Sequence, residues 1–139
     1  MEKNPYDRKT VLKYISQVRN SGGFDVDVSI PTWLHSGLHY FIPVAMSFPS
    51  GRDFAYRVAK FAIDEINVDM KSKTIELVEV VRAVTTVYRL VYLTLAVKKE
   101  AAAITIQAIV YCPRLGLDRP WDLQEWRVKP DTEAQPVEA

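Results

Sequence analysis

Apolar residues recur at helical spacing near the start of the chain, at Val11, Tyr14, Ile15 and Val18, and Gly22 and Gly23 follow where helices commonly end. The spacing predicts a peripheral helix over about residues 7–20. From Phe24 to Ile30 the period changes to two, with Phe24, Val26, Val28 and Ile30 on one face and Asp25, Asp27 and Ser29 on the other, until Pro31 stops it. That stretch reads as a short strand or extended arm whose acids face water. Between Pro31 and Pro49 the chain is irregular and aromatic, with Trp33, Tyr40, Phe41 and Phe48, and has room for one strand within Leu38 to Ala45. The prior for such aromatics is burial under a sheet, although exposed they would form a partner-binding patch.

The best helix follows. Ser50 and Asp53 have capping-box spacing, and Phe54, Val58, Phe61, Ala62 and Ile66 form an apolar stripe. After a polar break at Asn67 to Lys73, the run Thr74 to Val97 is too long and too rich in Val, Thr and Tyr for one ordinary strand, which predicts a hairpin. Ile75, Leu77, Val81 and Ala83 share one face of its first arm, and Val91, Leu93, Leu95 and Val97 one face of its second. The turn falls within Val84 to Arg89, where alternation lapses, although Gly, Asn and Pro are all missing there. A break at Lys98 to Glu100 precedes a third β-rich run, Ala101 to Cys112, ended by Pro113. Trp121, Leu123 and Trp126 then supply a last short strand.

Together these elements predict an α+β domain of about four to five antiparallel strands packed on one central helix, with an extra N-terminal helix. The organisation is an N-terminal extension over 1–49, the helix and sheet over 50–129, and a tail over 130–139 too poor in apolar residues to order itself. With 139 residues, 48% hydrophobic and 25% charged, the chain suffices for one core. Its formal charge of +1 argues against a polybasic surface for nucleic acid or anionic lipid. No apolar run approaches the roughly 20 residues that span a bilayer, and the first residues lack a secretory apolar core, so a cytoplasmic chain is expected.

Little catalytic chemistry is legible. Cys112 has no cysteine partner and no recognisable activating histidine, so it reads as a small buried hydrophobe within a strand. His35 and His39 have i,i+4 spacing, but Pro31, Gly37 and Pro43 argue against a helix there and no third ligand presents itself, so no metal site is expected. Asp64 and Glu65 are adjacent on a helix, about 100° apart, and cannot face each other across a substrate. No phosphate loop or nucleophile elbow occurs. The chain therefore reads as non-enzymatic, without cofactors.

Three segments carry a more specific signal. Val58-Ala59-Lys60-Phe61-Ala62-Ile63-Asp64-Glu65-Ile66-Asn67 is followed by Leu77-Val78-Glu79-Val80-Val81-Arg82-Ala83 with Tyr92-Leu93-Thr94-Leu95. Gln107 to Pro113 with Leu123-Gln124-Glu125-Trp126 comes last. In wording and order these resemble the helix signature and the following strands of plant-type cystatins, over roughly residues 55–126. The resemblance implies a sheet wrapped around the helix. For inhibitory members it also implies a three-part wedge that fills the cleft of a papain-like cysteine protease: an N-terminal stretch with a glycine, a Gln-x-Val-x-Gly hairpin loop, and a second loop bearing Pro-Trp.

Each part departs from that pattern here. The first loop reads Thr85-Thr86-Val87-Tyr88-Arg89, one residue shorter than the family spacing and without its glutamine or glycine, and bulky or β-branched residues resist positive φ. For the second loop the chain offers Pro113-Arg114 where the strand ends and Pro120-Trp121 a little later, after an insertion of about three residues, which makes Pro120-Trp121 a displaced wedge. Gly22-Gly23 lies too far from the helix to inherit the N-terminal role. The combination resembles the divergent cystatin-like proteins that plants carry beside their true cystatins, including the Gly-Phe-Asp-Val-Asp element at Gly23 to Asp27, and for those the resemblance implies a fold without an activity.

The expected function is therefore a non-catalytic protein acting through protein contacts, with inhibition weak or lost. The alternative is a reversible cysteine protease inhibitor using Thr85 to Arg89 with Pro120 and Trp121. A small-ligand-binding or enzymatic α+β domain is the third reading, and it needs a pocket between helix and sheet that the bulky strand residues argue against. A monomer is expected, or a domain-swapped dimer because the hairpin lacks a committed turn residue.

Overall fold

The computed structural model describes residues 8–28, 41–71, 75–86, 89–113 and 120–129. It is an α+β structure with two helices, α1 (Arg8–Ser21) and α2 (Pro49–Asp69), and five strands, β1 (Phe41–Pro43), β2 (Ile75–Thr86), β3 (Leu90–Lys99), β4 (Ala102–Tyr111) and β5 (Asp122–Val128). The strands form one open antiparallel sheet in chain order, β1 to β5, so every connection after β2 is a hairpin step to the adjacent strand. Trp33, His35, His39 and Tyr40 lie outside the described residues, as do Val87, Tyr88 and the tail.

Helix α2 buries Ala55, Val58, Ala59, Ala62, Ile63 and Ile66 against the sheet. Three of these six are alanines, small enough for the helix backbone to approach the strands closely. Opposite stand Val91, Leu93, Leu95 and Val97 of β3 and Ile106, Ala108 and Val110 of β4, each at most 2% exposed. The two sets meet in register, with Leu93 beside Ala108 and Leu95 beside Ile106. The predicted capping box does not form: Phe48 is the N-cap and makes no side-chain bond, while Pro49 opens the helix, so Ser50 already lies inside it. Proline suits that place because its missing N–H would be unpaired there anyway.

The far end of α2 is fastened by Asn67, whose Nδ2 donates to the Ile75 carbonyl at 3.0 Å while its Oδ1 accepts the Ile75 amide at 3.2 Å. One amide side chain thus takes both backbone groups of the first residue of β2. Along β2 the expected alternation slips. Register shifts between Leu77 and Glu79 and between Val80 and Arg82 turn Val80 inward, leaving Val81 50% exposed where the period-two pattern put it in the core.

The other face of the sheet is covered by α1 and the segment after it. Tyr14, Val26, Phe41 and Val84 form a second, smaller core there. The Tyr14 hydroxyl accepts the Phe41 amide at 2.7 Å, and Tyr92 meets Phe24 and Phe41 edge-on, with ring centroids 5.1 and 5.2 Å away. The segment around Phe24 to Val28 is an arm, not a strand, with Phe24 and Val26 inward as alternation predicts. Its acids do not simply face water. Asp25 pairs with Arg82 at 3.7 Å and Lys129 at 3.8 Å, and Asp27 exchanges two hydrogen bonds with the Gln17 side chain.

Gly22 and Gly23 redirect the chain from α1 into the arm at φ +69° and +100°. A Cβ on Gly23 would fall 2.3 Å from the Phe41 ring, so glycine is required there for space as well as conformation. Of the predicted aromatic cluster, Phe41 is buried and Phe48 is 63% exposed. No helix among the described residues is long and apolar enough to cross a membrane.

Candidate functional site

Strand β2 ends at Thr86 and β3 begins at Leu90, so the chain reverses between them, within the predicted span. Arg89 closes this reversal at φ +68°, a left-handed conformation that sequence reasoning reserves for glycine. Backbone bonds hold it there. The Arg89 amide donates to the Thr86 carbonyl at 3.1 Å, and its carbonyl accepts the Cys112 amide at 2.8 Å from the end of β4. The Leu90 amide donates to the Thr86 hydroxyl at 3.4 Å, and the Thr85 hydroxyl donates to the Ile42 carbonyl at 3.3 Å. Both threonines thus stabilise the base of the hairpin.

At the entrance to β5, Pro120 is exposed, whereas Trp121 is half-buried and turned toward α2. Its ring meets Phe61 edge-on at 5.7 Å and Phe54 at 6.5 Å. Trp121 is consequently part of the main core's border.

These elements enclose an open cavity of about 640 Å³ at the hairpin end of the sheet. Thr85, Thr86, Arg89 and Trp121, four of the residues singled out from the sequence, line it together. Phe54 and Arg57 of α2, Leu90 and Val91 of β3, and Cys112 with Pro113 complete the wall. The expectation that bulky strand residues leave no space between helix and sheet is therefore wrong at this end. Apart from Leu90, the strand residues lining this end are the β-branched Thr85, Thr86 and Val91.

Arg57 and Leu90 were not predictable. Arg57 sits three residues after Phe54, so both face the same end of the sheet, but nothing in the sequence separates it from Arg52 or Lys60. The Cys112 thiol is pushed up to about 12 by burial, so it stays protonated near neutrality and supplies no thiolate nucleophile. Asp64 and Glu65 are exposed, away from this cavity. Among the described residues no cluster of His, Cys, Asp or Glu has the arrangement to hold a metal ion. Comparison with protein-family models, with curated proteins and with solved structures finds no match to this chain.

Proposed function

We propose that this chain is a cystatin-like protein without catalytic activity that acts through protein contacts, with its papain-directed wedge disabled. The observation that carries this reading is the inward packing of Trp121 on Phe54 and Phe61. A tryptophan that anchors a wedge has to leave its own fold and enter the target cleft, and this one would have to give up its core contacts first. The glycine pair is committed elsewhere as well, with Gly23 packed beneath Phe41 on the face of the sheet opposite α2. The α2 stripe, the five-strand antiparallel sheet and its chain order support the cystatin-like assignment.

A reversible inhibitor is the second reading, favoured by one observation: Thr85, Thr86, Arg89 and Trp121 border a single cavity, so two of the three wedge parts stand side by side. Titration of the purified chain against papain decides between them. The expected result is no inhibition in the submicromolar range. Reversible submicromolar inhibition that weakens on Trp121→Ala would overturn the proposal in favour of the second reading.

A further inference from the structure

We propose that the cavity at the hairpin end of the sheet binds a small amphipathic carboxylate, an apolar ring or short chain bearing one carboxylate group. The inference goes beyond the protein-contact reading and stands whether or not that reading does.

The charge of the wall selects an anion. Arg57 and Arg89 both line the cavity, and among the described residues no acidic side chain lines it with them. Neither arginine forms an ion pair among the described residues; the two pairs there engage Arg82 and Lys129 on the other face. Both arginines are solvent-exposed, and a guanidinium offers a planar fork of donors that matches a carboxylate, so an anion entering the cavity would meet two cations that no described acid pairs. The neutral Cys112 thiol does not oppose that charge.

The remainder of the wall selects an apolar body. Phe54 and Trp121, in edge-on contact with each other, and Leu90 and Val91 line the cavity, and about 640 Å³ lies within the range of small-molecule sites. A bare inorganic anion would leave these side chains wet.

The backbone at Arg89 points the same way. At φ +68° glycine would be the least strained residue, yet the position holds an arginine, fixed on both sides through Thr86 and Cys112. What a glycine would remove is a guanidinium from the cavity wall.

The test is an NMR titration of the full chain with 2-naphthoate, with neutral 2-naphthamide and inorganic phosphate as comparators. Saturable binding of 2-naphthoate is expected, with shifts centred on the Trp121 indole N–H and the Leu90 and Val91 amides. Both comparators should bind about tenfold more weakly or worse. Arg57→Gln and Arg89→Gly should each weaken naphthoate binding about threefold or more. Arg89→Gly should do so without lowering the melting temperature, because it relieves the left-handed backbone. It therefore carries the test even if Arg57→Gln folds poorly. No saturable binding up to millimolar naphthoate would overturn the proposal, as would equal affinity for naphthamide or phosphate, or shifts centred away from this cavity.

Discussion

Against α2 the sheet presents Val91, Leu93, Leu95 and Val97 beside Ile106, Ala108 and Val110, an apolar surface closed by the six buried positions of the helix. Against α1 and the arm it presents Val84 and Tyr92 among Arg82, Thr94 and Gln107, and the layer above them is held by directional contacts: the Tyr14 hydroxyl, two aromatic edges, Asp25 between two cations, and the Arg127 guanidinium 5.6 Å from the Phe24 ring centre. The first face gains stability roughly in proportion to apolar area, and the polar groups at its border are paired, the Tyr56 hydroxyl with the Val80 amide at 3.2 Å and the Trp126 indole N–H with Asp69 at 3.0 Å. The second depends on geometry and satisfies it incompletely. Among the described residues, Arg82 Nε and Thr94 Oγ1 are buried without hydrogen-bond partners, and the 3.7 Å from Arg82 to Asp25 is an ion-pair distance too long for a hydrogen bond. Regions with few buried apolar contacts open first. The outer layer should therefore detach at a lower free energy than the inner core.

Truncating the inner face tests this most severely. Leu95→Ala, at a fully buried position, should cost about 2–5 kcal/mol in urea denaturation and destabilise both layers together. A loss below about 1 kcal/mol would mean that the inner face repacks as freely as the outer one and would erase the contrast.

Gly23→Ala should act on the outer layer alone. The new methyl has to displace the Phe41 ring and sits on a backbone at φ +100°, for a cost of about 1–3 kcal/mol. Amide exchange should accelerate in α1 and the arm while β3 and β4 keep their protection. Equal acceleration in β3 would show that the two layers unfold as one unit.

Acidification should sharpen the comparison with the smallest effect. The hydrogen bond from Gln17, aided by Lys13 and Arg82, holds the Asp27 carboxyl below its ordinary 3.8 against a smaller opposing effect of burial. A lowered folded-state value contributes stability above the unfolded value, and that contribution is lost as pH falls through the folded value. Exchange protection of the arm should therefore decline below about pH 4 while that of the inner core holds. Gln17→Ala should move the Asp27 titration, followed by NMR, back toward 3.8. An unchanged titration would remove Gln17 as the cause.

The elements themselves were legible in the chain because their burial pattern is local. The stripe from Val58 to Ile66 is set by a period of 3.6 within one helix, and the alternation of Val91 to Val97 and the two glycines after α1 are equally self-contained. The site was legible only in part. Thr85, Thr86, Arg89 and Trp121 were marked by their positions near strand ends, but Arg57 gains meaning only from the hairpin across the cavity, and Leu90 only from the helix across it.

By itself, then, the sequence determined an α+β chain with one strongly amphipathic helix, a hairpin of β-branched strands and an aromatic last strand. Only the tertiary structure decided which faces met. Two register shifts in β2 exchanged Val81 for Val80 in the core, because a bulge depends on the partner strand's hydrogen bonds and not on local period. Arg89 accepted a left-handed conformation because Thr86 and Cys112, distant from each other in the chain, fix both of its backbone groups. Trp121 turned inward because Phe54 and Phe61, two helical turns apart on α2, offered it more burial than solvent did.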